Sequence, residues 1–206
     1  VGASEREQRS EARRKALLQA AADVFFEQGY VATSIDAIIE RTGGSKRNIY
    51  SEFGSKQGLF IALVMANADA ALSTLPEADG CDLCATLTTF GQHLIDVYMS
   101  PTVIGIYRIA VTEAHRFPEL AKAFHDQGPG RTITGLADVL DQARRRGDIR
   151  VDDGRRLAEH FVSLIRGDLH LQVVLGLRPP PTPDEAREAV ASAVRLFLVG
   201  VRARDG

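Results

Sequence analysis

The sequence has no tryptophan, two methionines and two cysteines, and aromatic residues fill only 6% of its 206 positions. Cys81 and Cys84 cannot build a disulfide framework, and their scarcity fits a reducing cytoplasm. They stand near a helix start with the C-x-x-C spacing of a redox or half-metal site, but no second Cys pair follows. The histidines (His93, His115, His125, His160 and His170) are scattered and show no metal spacing, so neither metal nor cofactor is expected. No HExxH, P-loop or paired-acid arrangement is present, so no enzyme is expected either. No apolar run approaches the ~18 residues of a membrane helix. The opening "VGASEREQRSEARRK" is polar and contains acids, unlike a signal or transit peptide. Charge of one sign is missing too: the net is −2. A nucleic-acid contact would therefore need a local basic surface. Residues 1–60 carry +1 and the remainder −3, an asymmetry of the right sign for an N-terminal contact.

What the chain does have is helical period and helix punctuation. At 45% hydrophobic it can bury a real core without a staple. Leu17, Ala20, Ala21, Val24 and Phe25 share one face of a first helix, which Gly29 ends. Thr33 or Ser34 caps a second helix, with Thr33-x-x-Asp36 as a capping box. Its apolar face is Ile35, Ile38 and Ile39. Gly43-Gly44 stops it, and Ser45 caps a third, "KRNIYSEF". Ser55 caps a fourth helix reaching about Leu75. A fifth runs from Asp82 to about Met99. A sixth starts at Ser100-Pro101. A seventh runs from Pro118 to Gly147, broken or kinked at Gly128-Pro129-Gly130. An eighth follows Asp152 or Asp153. The ninth follows "PPPTPDE", with Thr182 as cap and Glu185 closing the box. The expected architecture is all-α, of about nine helices: a DNA-binding domain over residues 1–60 and a larger helical domain over 61–206.

Residues 33–56 form a helix-turn-helix plan, in which the second helix enters the major groove. Ile49 and Phe53, four apart, face inward. Lys46, Arg47, Asn48, Tyr50 and Ser51 are left outside. A capped helix start attracts phosphate through its free N–H groups. Arg47 suits guanine and Asn48 suits adenine, and the Tyr50 hydroxyl suits a phosphate. Lys56 opens the fourth helix, where a cation opposes the dipole by ~0.3–1 kcal/mol unless a phosphate is shared. The alternative is a merely solvated helix start, as in a helical interaction protein that never touches DNA. The agreement of cap, turn and inward spacing outweighs it.

The stretch "TSIDAIIERTGGSKRNIYSEFGSKQGLF" resembles the DNA-binding domain of TetR/AcrR-type bacterial regulators. The likeness rests on Thr33 or Ser34, Ile38, Gly43, Ser45, Lys46, Ile49, Tyr50, Phe53, Lys56 and Leu59. The C-terminal part is similar to the AefR-like branch in "VTEAHRFPELAKAFHDQGPGR" and "GDIRVDDGRRLAEHFVSLIRG". Thr42 and Gly44 depart from the family's usual Ala and Val. Gly44 lacks the side chain that packs under the recognition helix, a loss of ~1 kcal/mol or more unless Ile39 fills the gap. The resemblance implies a homodimeric, ligand-responsive regulator, most often a repressor. Its DNA-facing residues would be Thr33, Ser34, Ser45, Lys46, Arg47, Asn48, Tyr50, Ser51 and Lys56.

For the larger domain, the central helices can enclose a pocket for a small, mostly apolar effector. We place it at Phe90, His93, Leu94, Val97, Tyr107, Ala110, Glu113, Phe124, Leu136 and Gln172, with His93, Glu113 and Gln172 as the polar groups. A plain core is the alternative. The last two helices carry apolar stripes that need burial. Phe161, Leu164, Gly167, Leu171, Leu175, Val190, Val194, Phe197 and Val201 are the expected homodimer face, the alternative being the chain's own core.

Overall fold

The computed structural model describes residues 2–43, 45–76, 82–150 and 153–201, with residues 2–7 as backbone only. Among the described residues it holds ten α-helices. They are α1 (Gly2–Ala32), α2 (Ile35–Thr42), α3 (Lys46–Phe53), α4 (Lys56–Leu72), α5 (Leu83–Tyr98), α6 (Pro101–Glu113), α7 (Pro118–Gln127), α8 (Pro129–Arg146), α9 (Gly154–Val174) and α10 (Pro183–Val201). The expected seventh helix is two, because Pro129 has no N–H to continue the ladder and instead opens α8 after Gly128. No single helix among the described residues is long and apolar enough to cross a membrane.

Local chemistry sets the ends of the helices. Ser34 accepts from Ala37 N, Asp82 from Cys84 N, and Asp153 from Arg156 N. Asp152, the alternative cap, lies outside the described residues, as do Cys81 and Gly44. At α10 the capping box closes in both directions. Thr182 N donates to Glu185 Oε2 at 2.7 Å, and Glu185 N donates to Thr182 Oγ1 at 3.3 Å. The first helix runs past Gly29, but with a break there (φ 78°, ψ 158°).

The chain forms two compact units, and the division does not fall at residue 60. The first holds Val1–Ala66 and Gly105–Phe124, and the second holds Asn67–Ile104 and His125–Gly206. The first unit's core takes Phe25, Ile38, Ile49, Leu59 and Phe60 from the N-terminal helices. Ile106, Ile109 and Leu120 join them from α6 and α7. Phe25, Tyr30, Phe60 and Phe117 form a chain of ring contacts at 5.6–5.8 Å. The second core is built around Phe90, Leu94, Leu136, Phe161, Val190 and Phe197.

Candidate nucleic-acid interface

Helix α3 is short and polar, and its position rests on few groups. Ile49 is its one buried residue, 3% exposed, and Phe53 packs partly buried against the same core. Ser45 caps it in extended conformation and accepts from Asn48 N at 3.3 Å. Arg47, Asn48 and Ser51 are exposed, and Tyr50 is half exposed. Ser34, at the start of α2, is exposed as well. This places a capped, outward helix start beside a guanidinium, an amide and a phenol, the groups that read base edges and phosphates.

Three cations behave in ways the sequence did not show. Lys46 pairs with Asp36 of α2 at 2.8 Å, and the bond raises the lysine's pKa. Arg14 of α1 bonds Glu52 at 2.7 Å and lies 5.2 Å over the Phe53 ring. Both ends of α3 are thus tied by exposed ion pairs. An open cleft of about 700 Å³ lies between α1 and the α2–α3 pair, bordered by Arg13, Leu17, Gly43, Asn48 and Ile49. Ile39, the expected filler beneath α3, is partly buried against the first core.

The third cation is Lys56, and it corrects an expectation. Its ammonium donates to Tyr30 O (2.7 Å), Thr33 O (3.0 Å) and Val31 O (3.2 Å), and sits 4.6 Å from the centre of the Tyr30 ring. Burial lowers its pKa, partly countered by Glu113. The three donors of an ammonium are all taken. Lys56 is a cap for the broken end of α1, not an outward phosphate ligand. The reason is proximity: the carbonyls orphaned by the break at Gly29 satisfy the cation without DNA. Thr33 needs the same correction. It is 3% exposed, and its hydroxyl donates to Gly29 O and Val24 O at the break, so neither DNA nor the capping box engages it.

The expected effector residues divide between the units. Phe90, Leu94 and Leu136 are fully buried in the second core, with Val97 packed against it. His93 bonds Ala70 O at 2.7 Å, and Gln172 bonds Asp168. Tyr107, Ala110, Glu113 and Phe124 belong to the first unit, where Tyr107 meets Phe124 edge-on at 6.0 Å.

The expected dimer stripe also splits. Phe161, Val190, Val194, Phe197 and Val201 are at most 6% exposed and fill the chain's own core, so they are not a free face. Leu164, Leu171 and Leu175 remain exposed on α9. Leu196 and Val199 do so on the other side of α10 and were missed, because the denser stripe on that helix outweighed a pair three residues apart. Gly167 breaks α9 (φ 47°, ψ −158°), a backbone state that a Cβ disfavours.

An exposed, capped second helix after a tight turn, packed on a small aromatic core, defines a helix-turn-helix DNA-binding protein. Comparison with known proteins makes the class specific. Residues 17–63 match the bacterial regulatory proteins of the tetR family, and residues 85–200 match the AefR-like transcriptional repressor C-terminal domain. The chain belongs to the TetR family of transcriptional regulators, which are not enzymes. It is 27% identical over 189 residues to the HTH-type transcriptional regulator YvkB of Bacillus subtilis, covering 92% of this chain and 97% of that one. The flavonoid-responsive regulator FrrA is 33% identical, with TM-score 0.74, covering 94% of this chain and 99% of FrrA. A TetR-family regulator from Mesorhizobium loti shares the fold (TM-score 0.77, 24% identity, 95% and 99% coverage).

Proposed function

We propose that the protein is a homodimeric repressor that binds a two-fold operator and is released by a small, mostly apolar effector. The observation that carries the reading is the start of α3, where Arg47, Asn48 and Tyr50 stand exposed beside the Ser45 cap. Ser34, Ser45, Lys46, Arg47, Asn48, Tyr50 and Ser51 are the proposed contacts. The likeness of residues 85–200 to a repressor's C-terminal domain supports repression. The flavonoid response of FrrA supports an aromatic effector. The exposed Leu164, Leu171 and Leu175 of α9, with Leu196 and Val199 of α10, support pairing through the last two helices, since such a face needs cover.

Selection of bound fragments from random DNA tests the reading. A palindromic consensus, with affinity falling steeply as salt rises, is the expected result. Recovery of no enriched fragment at low salt would sink it.

A further inference from the structure

The second unit contains a polar cluster that neither its core nor the proposed dimer face explains. Tyr98, at the end of α5, is 9% exposed, and its hydroxyl is fully buried without a hydrogen-bond partner. Three groups surround it. The His170 ring of α9, 4% exposed, lies 5.9 Å away centre to centre. The Arg166 guanidinium lies 5.8 Å over the phenol ring. Thr132 of α8, 1% exposed, stands near enough to favour the ionised phenol, but its own hydroxyl donates to Gly128 O at 3.3 Å. Arg166 and His170 bracket the break at Gly167, so α9 departs from helical form at this cluster. Such breaks within helices commonly mark functional positions.

A buried phenol without a partner costs stability, because its hydroxyl has left water and gained nothing. A phenylalanine would fill the same space without that cost. Burial holds the phenol neutral, raising its pKa to about 12, and holds the imidazole neutral, lowering its pKa to about 4. Neutral groups of this kind suit an uncharged hydroxyl, which both gives and takes a hydrogen bond.

We infer that the Tyr98 hydroxyl, flanked by His170 and Thr132, is the hydrogen-bonding point for the effector and recognises a phenolic hydroxyl on a flavonoid-like aromatic molecule. The inference rests on the aromatic-effector reading above and gives it a chemical class and an anchor.

Tyr98→Phe is the variant, and naringenin and unsubstituted flavanone are the probes, one skeleton with and without phenolic hydroxyls. Without ligand, Tyr98→Phe should melt at the same temperature as wild type or higher. A clear drop in Tm would mean that the hydroxyl has a structural partner, and would overturn the inference. In titration calorimetry, wild type should prefer naringenin over flavanone by at least about tenfold, and Tyr98→Phe should lose that preference. An unchanged preference in the variant would overturn the inference while leaving the aromatic-effector reading standing. Binding of neither probe to wild type would overturn both. Operator affinity, measured on the same samples, tests the regulator reading independently.

Discussion

Two lysines in neighbouring motifs have opposite fates, and their neighbours decide which. Lys46 is held by one exposed carboxylate, which a phosphate can displace, since exposed pairs are worth ~0–1 kcal/mol. Lys46→Ala should therefore weaken operator binding and reduce the slope of log affinity against log salt by about 1. Lys56 is held by three carbonyls and a ring. Lys56→Met should leave the salt slope unchanged and lower stability by roughly 1–3 kcal/mol, read from urea unfolding, because buried acceptors lose their donor. A slope reduced by about 1 would return Lys56 to the DNA contacts. His170 gives a third residue-level expectation. Burial and the nearby Arg166 lower its pKa from 6.5 to about 4, so the unfolded chain binds the proton more readily. Its contribution to stability is full above pH 6.5 and is lost as pH falls towards 4. His170→Gln should flatten that part of the stability profile.

Elements were legible where their causes are local. Ser34, Asp82, Asp153 and Thr182 cap the helices that the sequence assigns them, because a side-chain oxygen needs only the N–H two or three residues on. Helix α3 is a marginal element: eight residues, one buried side chain and two exposed ion pairs. Ser45→Ala should cost about 1 kcal/mol and weaken DNA binding beyond that figure, since the capped end is the reading end. Helix α6 shows a constraint of the opposite kind. A Cβ on Gly105 would meet the Phe26 ring at 2.5 Å, so α6 approaches α1 as closely as backbone allows. Gly105→Ala should destabilise by about 1–3 kcal/mol, and adding Phe26→Leu should recover part of the loss. Nothing in the sequence marked Gly105, because its requirement comes from a residue 79 positions away.

At the scale of the molecule, the apolar stripes of α9 and α10 had two possible destinations, and the denser one went to the chain's own core. The proposed homodimer therefore depends on Leu171, Leu175 and Val199, which are 51%, 61% and 80% exposed. Leu171→Glu combined with Val199→Glu should give a monomer by light scattering and abolish two-site operator binding, with the circular dichroism spectrum intact. A variant that stays dimeric would place the interface elsewhere. The sequence alone determined the helical class, the helix ends and the outward chemistry of α3, because period, caps and short-range spacing act within a few residues. Tertiary structure decided that α6 and α7 join the first unit, that Lys56 and Thr33 turn to the break at Gly29, and which face of α10 stays in water. Those outcomes depend on which distant surfaces meet, and burial energy belongs to the pair of surfaces in contact, not to either stretch of sequence.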